Sequence, residues 1–300
     1  MKPDRTLAAV LAEDVLVLDG GLSNQLEAQG CDLSDALWSA RLLADAPEQI
    51  EAAHAAYARA GAQVLITSSY QATFEGFARR GIDRAEAARL LARSVELARA
   101  AGERSGREIW VAASVGPYGA MLADGSEYRG RYGLSTAALE RFHRPRIEVL
   151  AEARPDVLAL ETVPDADEAE ALLRAVEGCG VPVWLSYTID GRRTRAGQDL
   201  ADAFGLAAGL DQVVAVGVNC CAPADAGPAA EIAAAVTGKP VVVYPNSGER
   251  WDAEARAWRG DATFAPATTE AWRTAGARLI GGCCRVGPPA VASLAATLTS

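Results

Sequence analysis

The chain has 300 residues, 50% of them hydrophobic, with a net charge of −10 and 6 cysteines. An acidic balance without Lys/Arg clusters or interleaved basic and aromatic residues argues against nucleic acid and against an anionic membrane surface, leaving a small molecule as the expected partner. No Ser/Gly linker, charge run or low-complexity tract interrupts it, so a single α/β domain over residues 1–300 is expected.

At the N-terminus the apolar stretch Leu7 to Leu11 is broken by Glu13 and Asp14, too short and wrongly flanked for a signal peptide or a membrane span. The expected location is therefore the cytoplasm. There, cysteines bind metal or pack a core more often than they form a disulfide framework. Eight β-branched runs follow: VLVLDG (15–20), QVLITSS (63–69), IWVAASVG (109–116), VLALETV (157–163), VPVWLSYT (181–188), VVAVGVNC (213–220), PVVVYPNSG (240–248) and ARLIGGCC (277–284). Each is followed by an Ala/Leu/Glu/Arg-rich helical stretch. Near-continuous apolar runs are the pattern of parallel strands covered on both faces, and eight βα units predict a closed (β/α)8 TIM barrel. The alternative is an open doubly wound sheet. Spacing between strand ends is longer in the first half, so the early βα loops should carry extra helices, as in 33–61, and could form a lid. The segment GPYGAMLADGSEYRGRYG reads as a loop over the barrel mouth.

In such a barrel the active site forms at the carboxyl ends of the strands. There the sequence places Asp19, Thr67, Glu161, Cys220, Asn246, and the adjacent Cys283 and Cys284, from runs one, two, four, six, seven and eight. Strands six and eight end about 10 Å apart, a gap that inward side chains and Zn–S bonds of about 2.3 Å can close. Three thiolates from two segments would make a zinc site with one position open for a substrate; a vicinal disulfide or two packed thiols are the other readings of Cys283 and Cys284. Cys221 points the other way on an extended chain and reads as packing, and Cys31 and Cys179 read as isolated thiols. With only His54 and His143 in the chain, a His-based metal site or a Ser-His-Asp triad has little to build on. A barrel aldolase lacks a Schiff-base lysine, since Lys2 is terminal and Lys239 precedes strand seven.

The segments VLDGG, TSSYQAT, GPYGAMLADGSEYRG, LALETVP, GVNC, YPNSGE and GGCCR, spread from about residue 15 to residue 290, together resemble the homocysteine S-methyltransferase family, which includes S-methylmethionine-dependent and betaine-dependent enzymes. GVNC followed by GGCC is the specific part of the likeness. It implies one Zn²⁺ per chain held by Cys220, Cys283 and Cys284, with the homocysteine thiolate as fourth ligand. It also implies that Asp19 and Glu161 bind the homocysteine ammonium, and that backbone N–H groups around Gly20, Gly21 and Thr67 hold the rest of the amino acid. Gln71 aligns with a tyrosine that in betaine-dependent relatives can occupy the zinc, a departure that leaves Gln71, a water or nothing as the readings of the fourth position without substrate.

The chemistry agrees with the resemblance. Three thiolates leave the zinc complex negative, so the metal is a weak Lewis acid that still acidifies an incoming thiol, whose free pKa near about 8.5 otherwise keeps it protonated. The resulting electron-rich sulfur can attack the methyl carbon of a sulfonium in line, with a neutral thioether leaving and no further general base. The short chain, without added cobalamin or folate domains, points to S-methylmethionine as donor and S-adenosylmethionine as a secondary one. Trp38, Tyr70, Tyr118 and Tyr128 are candidates for cation–π contact with it, at roughly 0.5–2 kcal/mol each, and Asn246 for orienting the donor or a loop. The remaining alternatives are a selenocysteine or betaine-type methyltransferase, or a non-metal thiol redox protein using Cys283 and Cys284.

Overall fold

A computed structural model describes residues 3–33, 38–252 and 257–299. Eight parallel strands form its centre: β1 (Leu16–Val17), β2 (Val64–Ile66), β3 (Trp110–Val115), β4 (Val157–Val163), β5 (Val183–Tyr187), β6 (Val213–Asn219), β7 (Val241–Tyr244) and β8 (Ala277–Ile280). The sheet runs β1-β8-β7-β6-β5-β4-β3-β2, and a parallel bridge between Leu18 and Val64 joins its two ends. The sheet therefore closes on itself as the expected (β/α)8 barrel, and the doubly wound alternative is set aside.

Strand periodicity of two divides the apolar residues between two cores. Leu16 and Leu18, Trp110 and Ala112, Val157 and Ala159, Trp184, Ala215, Val242, Tyr244 and Leu279 fill the barrel interior. Their neighbours Val17, Val111, Ala113, Leu158, Leu160, Val183, Val216, Val218 and Val243 pack outward against the helices. Inside, bulk is balanced by small residues. Trp184 donates from Nε1 to Tyr244 Oη at 3.1 Å, while a Cβ at Gly217 would lie 1.8 Å from the Val242 carbonyl oxygen. The apolar stretch at the N-terminus proves to be the helix Leu7–Leu11, capped by the Thr6 hydroxyl, which buries Leu7, Val10 and Leu11 in the interior cluster. It plugs the end of the barrel opposite the strand carboxyl ends.

The early loops carry the extra helices expected of them: Leu22–Ala28, Trp38–Asp45 and Pro47–Arg59 between β1 and β2, and Phe74–Arg79 before Arg84–Arg104 between β2 and β3. The later loops also carry additions that strand spacing does not announce, the ribbons Ile189–Asp190 with Arg193–Thr194 and Arg250–Asp252 with Ala257–Arg259. Among the described residues no helix is long and apolar enough to cross a membrane.

Several strands stop short of the apolar runs that announce them. β8 ends at Ile280, beyond which Gly281 N–H donates to Val243 O at 3.0 Å and Gly282 N–H to Asp19 O at 3.1 Å; a Cβ on Gly281 would meet Leu18 Cβ at 2.5 Å and one on Gly282 Val286 Cγ1 at 2.2 Å, so only glycine fits this close approach. β6 ends at Asn219, one residue before Cys220.

Emptying the centre of the interior should cost most. Trp184→Ala is expected to lower unfolding stability by about 3–5 kcal/mol, read as a reduced urea midpoint by circular dichroism; a loss below about 1 kcal/mol would contradict its central place in the packing.

Candidate metal and substrate site

Cys220 follows β6 with φ at 51°, a left-handed conformation rare outside glycine. Asn219 faces inward, so an extended chain would turn Cys220 outward; the left-handed turn brings its sulfur to the mouth instead. Backbone bonds hold that turn: Cys220 N–H donates to Tyr244 O at 3.3 Å, and Thr188 Oγ1 donates to Cys220 O at 3.1 Å. Cys283 and Cys284 arrive from β8 through Gly282 N–H bound to Asp19 O at 3.1 Å and Cys283 N–H bound to Pro245 O at 2.8 Å. The result sets Cys220 Sγ 3.1 Å from Cys283 Sγ and 3.7 Å from Cys284 Sγ, with all three sulfurs within 4.8 Å of one another.

The free state of all six cysteines sets the vicinal disulfide aside. A disulfide requires about 2.0 Å, whereas four ligands at about 2.3 Å from a tetrahedral zinc stand about 3.8 Å apart. All six cysteines are free thiols, and the sulfur spacing is that of a cluster able to share one ion. Without a cation the three cannot all ionise: thiols of Cys220 and Cys283 bonded to Cys284 push its pKa well below the ordinary value, while bonding to Cys220 pushes that of Cys283 well above it. Cys221 packs in the outer core, and Cys31 and Cys179 lie at its edge, as expected.

Asn246 is the tie between the two ligand-bearing segments. Its Oδ1 accepts from Cys284 N–H at 3.2 Å, its own N–H donates to Cys221 O at 3.0 Å, and the neighbouring Ser247 N–H donates to Cys284 O at 3.0 Å. Of the two roles open to it, the structure shows it orienting a loop. Asn219 does similar work one layer below, accepting from Thr162 N–H and Ser186 Oγ and donating to Thr162 Oγ1, all at 2.7 Å. Nothing in the sequence beyond its place in GVNC marks it.

Three carboxyls are buried at this mouth, one more than the sequence suggests. Asp19 is 1% exposed; Ile66 N–H donates to its Oδ2 at 2.9 Å, and Oδ1 has no partner among the described residues. Burial pushes its pKa well above the carboxylate range and the Glu161 charge adds to the push. Glu161 is raised to about 7 by burial, against the hydrogen bond from Ser114 and the nearby Tyr244, both of which favour its ionised form. Glu127, on the short helix Ser126–Tyr128, is raised to about 7, again chiefly by burial. It stands in the loop segment over the mouth, where nothing in the sequence separates a surface glutamate from one turned inward.

The glycines and Thr67 serve the frame. A Cβ on Gly20 would lie 2.0 Å from Val286 O and one on Gly21 2.7 Å from Cys283 O, so both are small because the β1 and β8 loops touch. Gly21 N–H is bonded to Val286 O at 3.0 Å and Thr67 N–H to Ala112 O at 2.9 Å, so neither amide is free for a ligand. The Thr67 hydroxyl contacts Ser69 Oγ at 2.7 Å and accepts from Ser114 N–H at 3.0 Å.

Gln71 donates from Nε2 to Ala120 O at 2.9 Å and leaves Oε1 unpartnered; the Tyr128 hydroxyl stands 3.6 Å from Cys220 Sγ. Tyr70 is raised well above its ordinary pKa by burial, then by the charges of Glu127 and Cys220. Tyr118 instead packs against Tyr132 and Phe142, at 5.2 and 4.8 Å between ring centroids. Trp38 opens the helix Trp38–Asp45, but its side chain lies outside the described residues.

A buried charged network supports the loop after β3. Glu168 Oε1 accepts from Tyr118 N–H at 2.6 Å and lies 2.9 Å from His143 Nε2; Arg146 donates to His143 Nδ1 at 2.7 Å and to Gly116 O. Arginine can only donate, so Nδ1 accepts and the Nε2 proton points at Glu168. Burial, and then the Arg146 charge, push His143 well below its ordinary pKa, consistent with that neutral form.

Comparison with known proteins places this arrangement. A family model described as homocysteine S-methyltransferase matches residues 16–298. The homocysteine S-methyltransferase of Escherichia coli (strain K12) is 46% identical over 99% of this chain and 99% of that protein, and homocysteine S-methyltransferase YbgG of Bacillus subtilis (strain 168) is 44% identical over 94% of each. The metallated form of the homocysteine methyltransferase MmuM from Escherichia coli superposes with a TM-score of 0.86 at 45% identity, covering 96% of this chain and 98% of that one. Its oxidized form gives a TM-score of 0.88 at 45% identity, covering 98% and 99%. The thiol redox alternative is thereby set aside: the chain is a methyltransferase and belongs to the homocysteine S-methyltransferase family.

Proposed function

We propose that this enzyme transfers a methyl group from S-methylmethionine to the thiolate of L-homocysteine, giving L-methionine, with one Zn²⁺ held by Cys220, Cys283 and Cys284. The observation that carries the reading is the convergence of three sulfurs within 4.8 Å at the mouth of the barrel, beside buried carboxyls. The donor set fits the ion, since three thiolates leave one tetrahedral position for a substrate sulfur. Bound there, Zn²⁺ would supply the acidity that turns the homocysteine thiol into a thiolate nucleophile at neutral pH. MmuM, crystallised in a metallated form, supports a metal here.

The chain's own residues bind and orient. Asp19, with one buried oxygen unpartnered, and Glu161 receive the homocysteine ammonium; its positive charge offsets the burial that otherwise keeps them protonated. Tyr128 sets a hydroxyl against the sulfur cluster, and Tyr70 and Tyr128 offer aromatic surface to a sulfonium. Gln71 is placed to take a hydrogen bond at its free oxygen. S-Adenosylmethionine remains a secondary donor, and residues 1–300 form one homocysteine-binding barrel domain in this reading.

The test is methionine formation from homocysteine by the reduced, zinc-loaded protein with S-methylmethionine, S-adenosylmethionine and betaine in parallel. Fastest turnover with S-methylmethionine is expected, and Cys283→Ala should abolish both turnover and stoichiometric zinc. One bound zinc per chain with no turnover from any donor would move the acceptor to another thiol. Asn246→Ala should weaken zinc by roughly tenfold to a hundredfold in competition with a chelator, since it unties a ligand's support; unchanged affinity would show that the tie is dispensable.

Stability should also report the buried carboxyls. Because Glu161 stays protonated up to about 7 in the folded protein, against 4.5 ordinarily, the folded state binds the extra proton between those values. Its contribution is therefore most favourable below 4.5 and declines as pH rises to 7, by an amount on the order of 3 kcal/mol at most. Glu161→Gln should flatten this decline in urea midpoints of the metal-free protein and raise the midpoint at pH 8; a profile identical to the parent would contradict the burial argument.

A further inference from the structure

Glu127 has no part in the chemistry derived so far, yet the loop after β3 delivers it to the mouth with care. Gly125 takes φ of 80° just before the turn, Ser126 N–H donates to Asp124 Oδ1 at 3.0 Å, and a Cβ on Gly119 would lie 2.4 Å from Glu127 N. The side chain ends 3% exposed, with Oε2 unpartnered and no Lys or Arg paired with it among the described residues. A buried carboxylate without a cation is costly to keep, which makes a cationic ligand the natural complement. Glu127 adjoins Tyr128, whose hydroxyl stands 3.6 Å from Cys220 Sγ, and Tyr70 packs so closely on Gly116, where the same loop begins, that a Cβ there would lie 2.6 Å from it. Asp19 and Glu161 approach from the ends of β1 and β4, whereas Glu127 comes from the loop after β3.

We propose that Glu127 binds the α-ammonium of an amino-acid sulfonium donor and so selects donors of that class, an assignment that rests on the sulfonium-donor reading above. The electron balance of the transfer favours the ammonium over the sulfonium as its partner. As the homocysteine thiolate's electron pair forms the new C–S bond, the old C–S bond breaks and its pair returns to the donor sulfur, which becomes a neutral thioether. A carboxylate set against that sulfur would stabilise the ground state more than the transition state and slow the reaction. The ammonium keeps its charge throughout, so a carboxylate on it tightens binding evenly. The polarizable rings of Tyr70 and Tyr128 are then left to the sulfonium.

The experiment compares S-methylmethionine with dimethylsulfoniopropionate, a sulfonium without an ammonium, whose binding is read as donor or as competitor. Glu127→Gln is expected to raise KM for S-methylmethionine by roughly tenfold to a hundredfold, the usual loss of a charged hydrogen bond, with kcat changed little. KM for homocysteine, binding of the ammonium-free sulfonium and the homocysteine-dependent thiolate absorption of the Co²⁺-substituted protein should be unchanged. Glu127→Asp, which keeps the charge, should bind S-methylmethionine more tightly than Glu127→Gln. Equal losses for both sulfonium compounds, a raised KM for homocysteine, or no change at all would overturn the assignment while leaving the donor reading intact. A parent enzyme that binds homocysteine but turns over no sulfonium would overturn the donor reading and this assignment with it.

Discussion

Three sulfur atoms can stand within 4.8 Å of one another only if the loops after β6 and β8 are locked together, and the loop after β7 supplies the lock. Asn246 binds the backbone of Cys221 with its N–H and that of Cys284 with its side-chain oxygen, and Pro245 accepts from Cys283 N–H. The barrel makes this economical. Parallel neighbours deliver three consecutive strand ends to one rim, and the register Asn219↔Tyr244 and Ile280↔Val243 brings their loops level. The left-handed turn at Cys220 is the local strain this arrangement holds in place.

Around the sulfurs the structure concentrates groups that would all be negative if ionised: three thiols and the carboxyls of Asp19, Glu127 and Glu161. Burial answers by keeping the carboxyls protonated to higher pH than usual, Glu127 and Glu161 to about 7. Such a site is poised to become anionic as cations arrive. A metal ion, a substrate ammonium and a sulfonium each bring positive charge, and each stabilises the ionised form of its neighbours. The same logic explains why no Lys or Arg is paired with Glu127 or Asp19 among the described residues: a resident cation would compete with the substrate.

Rigidity comes from beneath and behind. The interior cluster anchored by Trp110, Trp184 and Tyr244 fills the barrel under the rim, and Tyr244 also favours the ionised form of Glu161, connecting packing to the site. Behind the rim, the Glu168–His143–Arg146 network fixes the backbone of Gly116 and Tyr118. From that backbone run Ala120, which receives Gln71, and Gly119, against which Glu127 packs. Burying Arg146 and Glu168 together is costly in isolation, and pairing through a neutral histidine is what makes it tolerable.

Much of this was legible in the chain itself. Parallel strands covered on both faces must be apolar nearly throughout, so the eight runs, the barrel and the rim residues Asp19, Glu161, Cys220, Cys283 and Cys284 could be read from pattern and spacing alone. What only the tertiary structure decided lies where backbone direction is set by distant contacts. That Cys220 turns inward past the end of β6, that Gly20 and Gly21 are small for the β8 loop, and that the Tyr128 hydroxyl meets the thiols all depend on close approaches between segments far apart in sequence. Glu127 is the plainest case, because a glutamate in a glycine-rich loop carries no periodicity to say which way it faces. Periodic burial is written locally in residue order, whereas the aim of a loop side chain is a property of the assembled barrel.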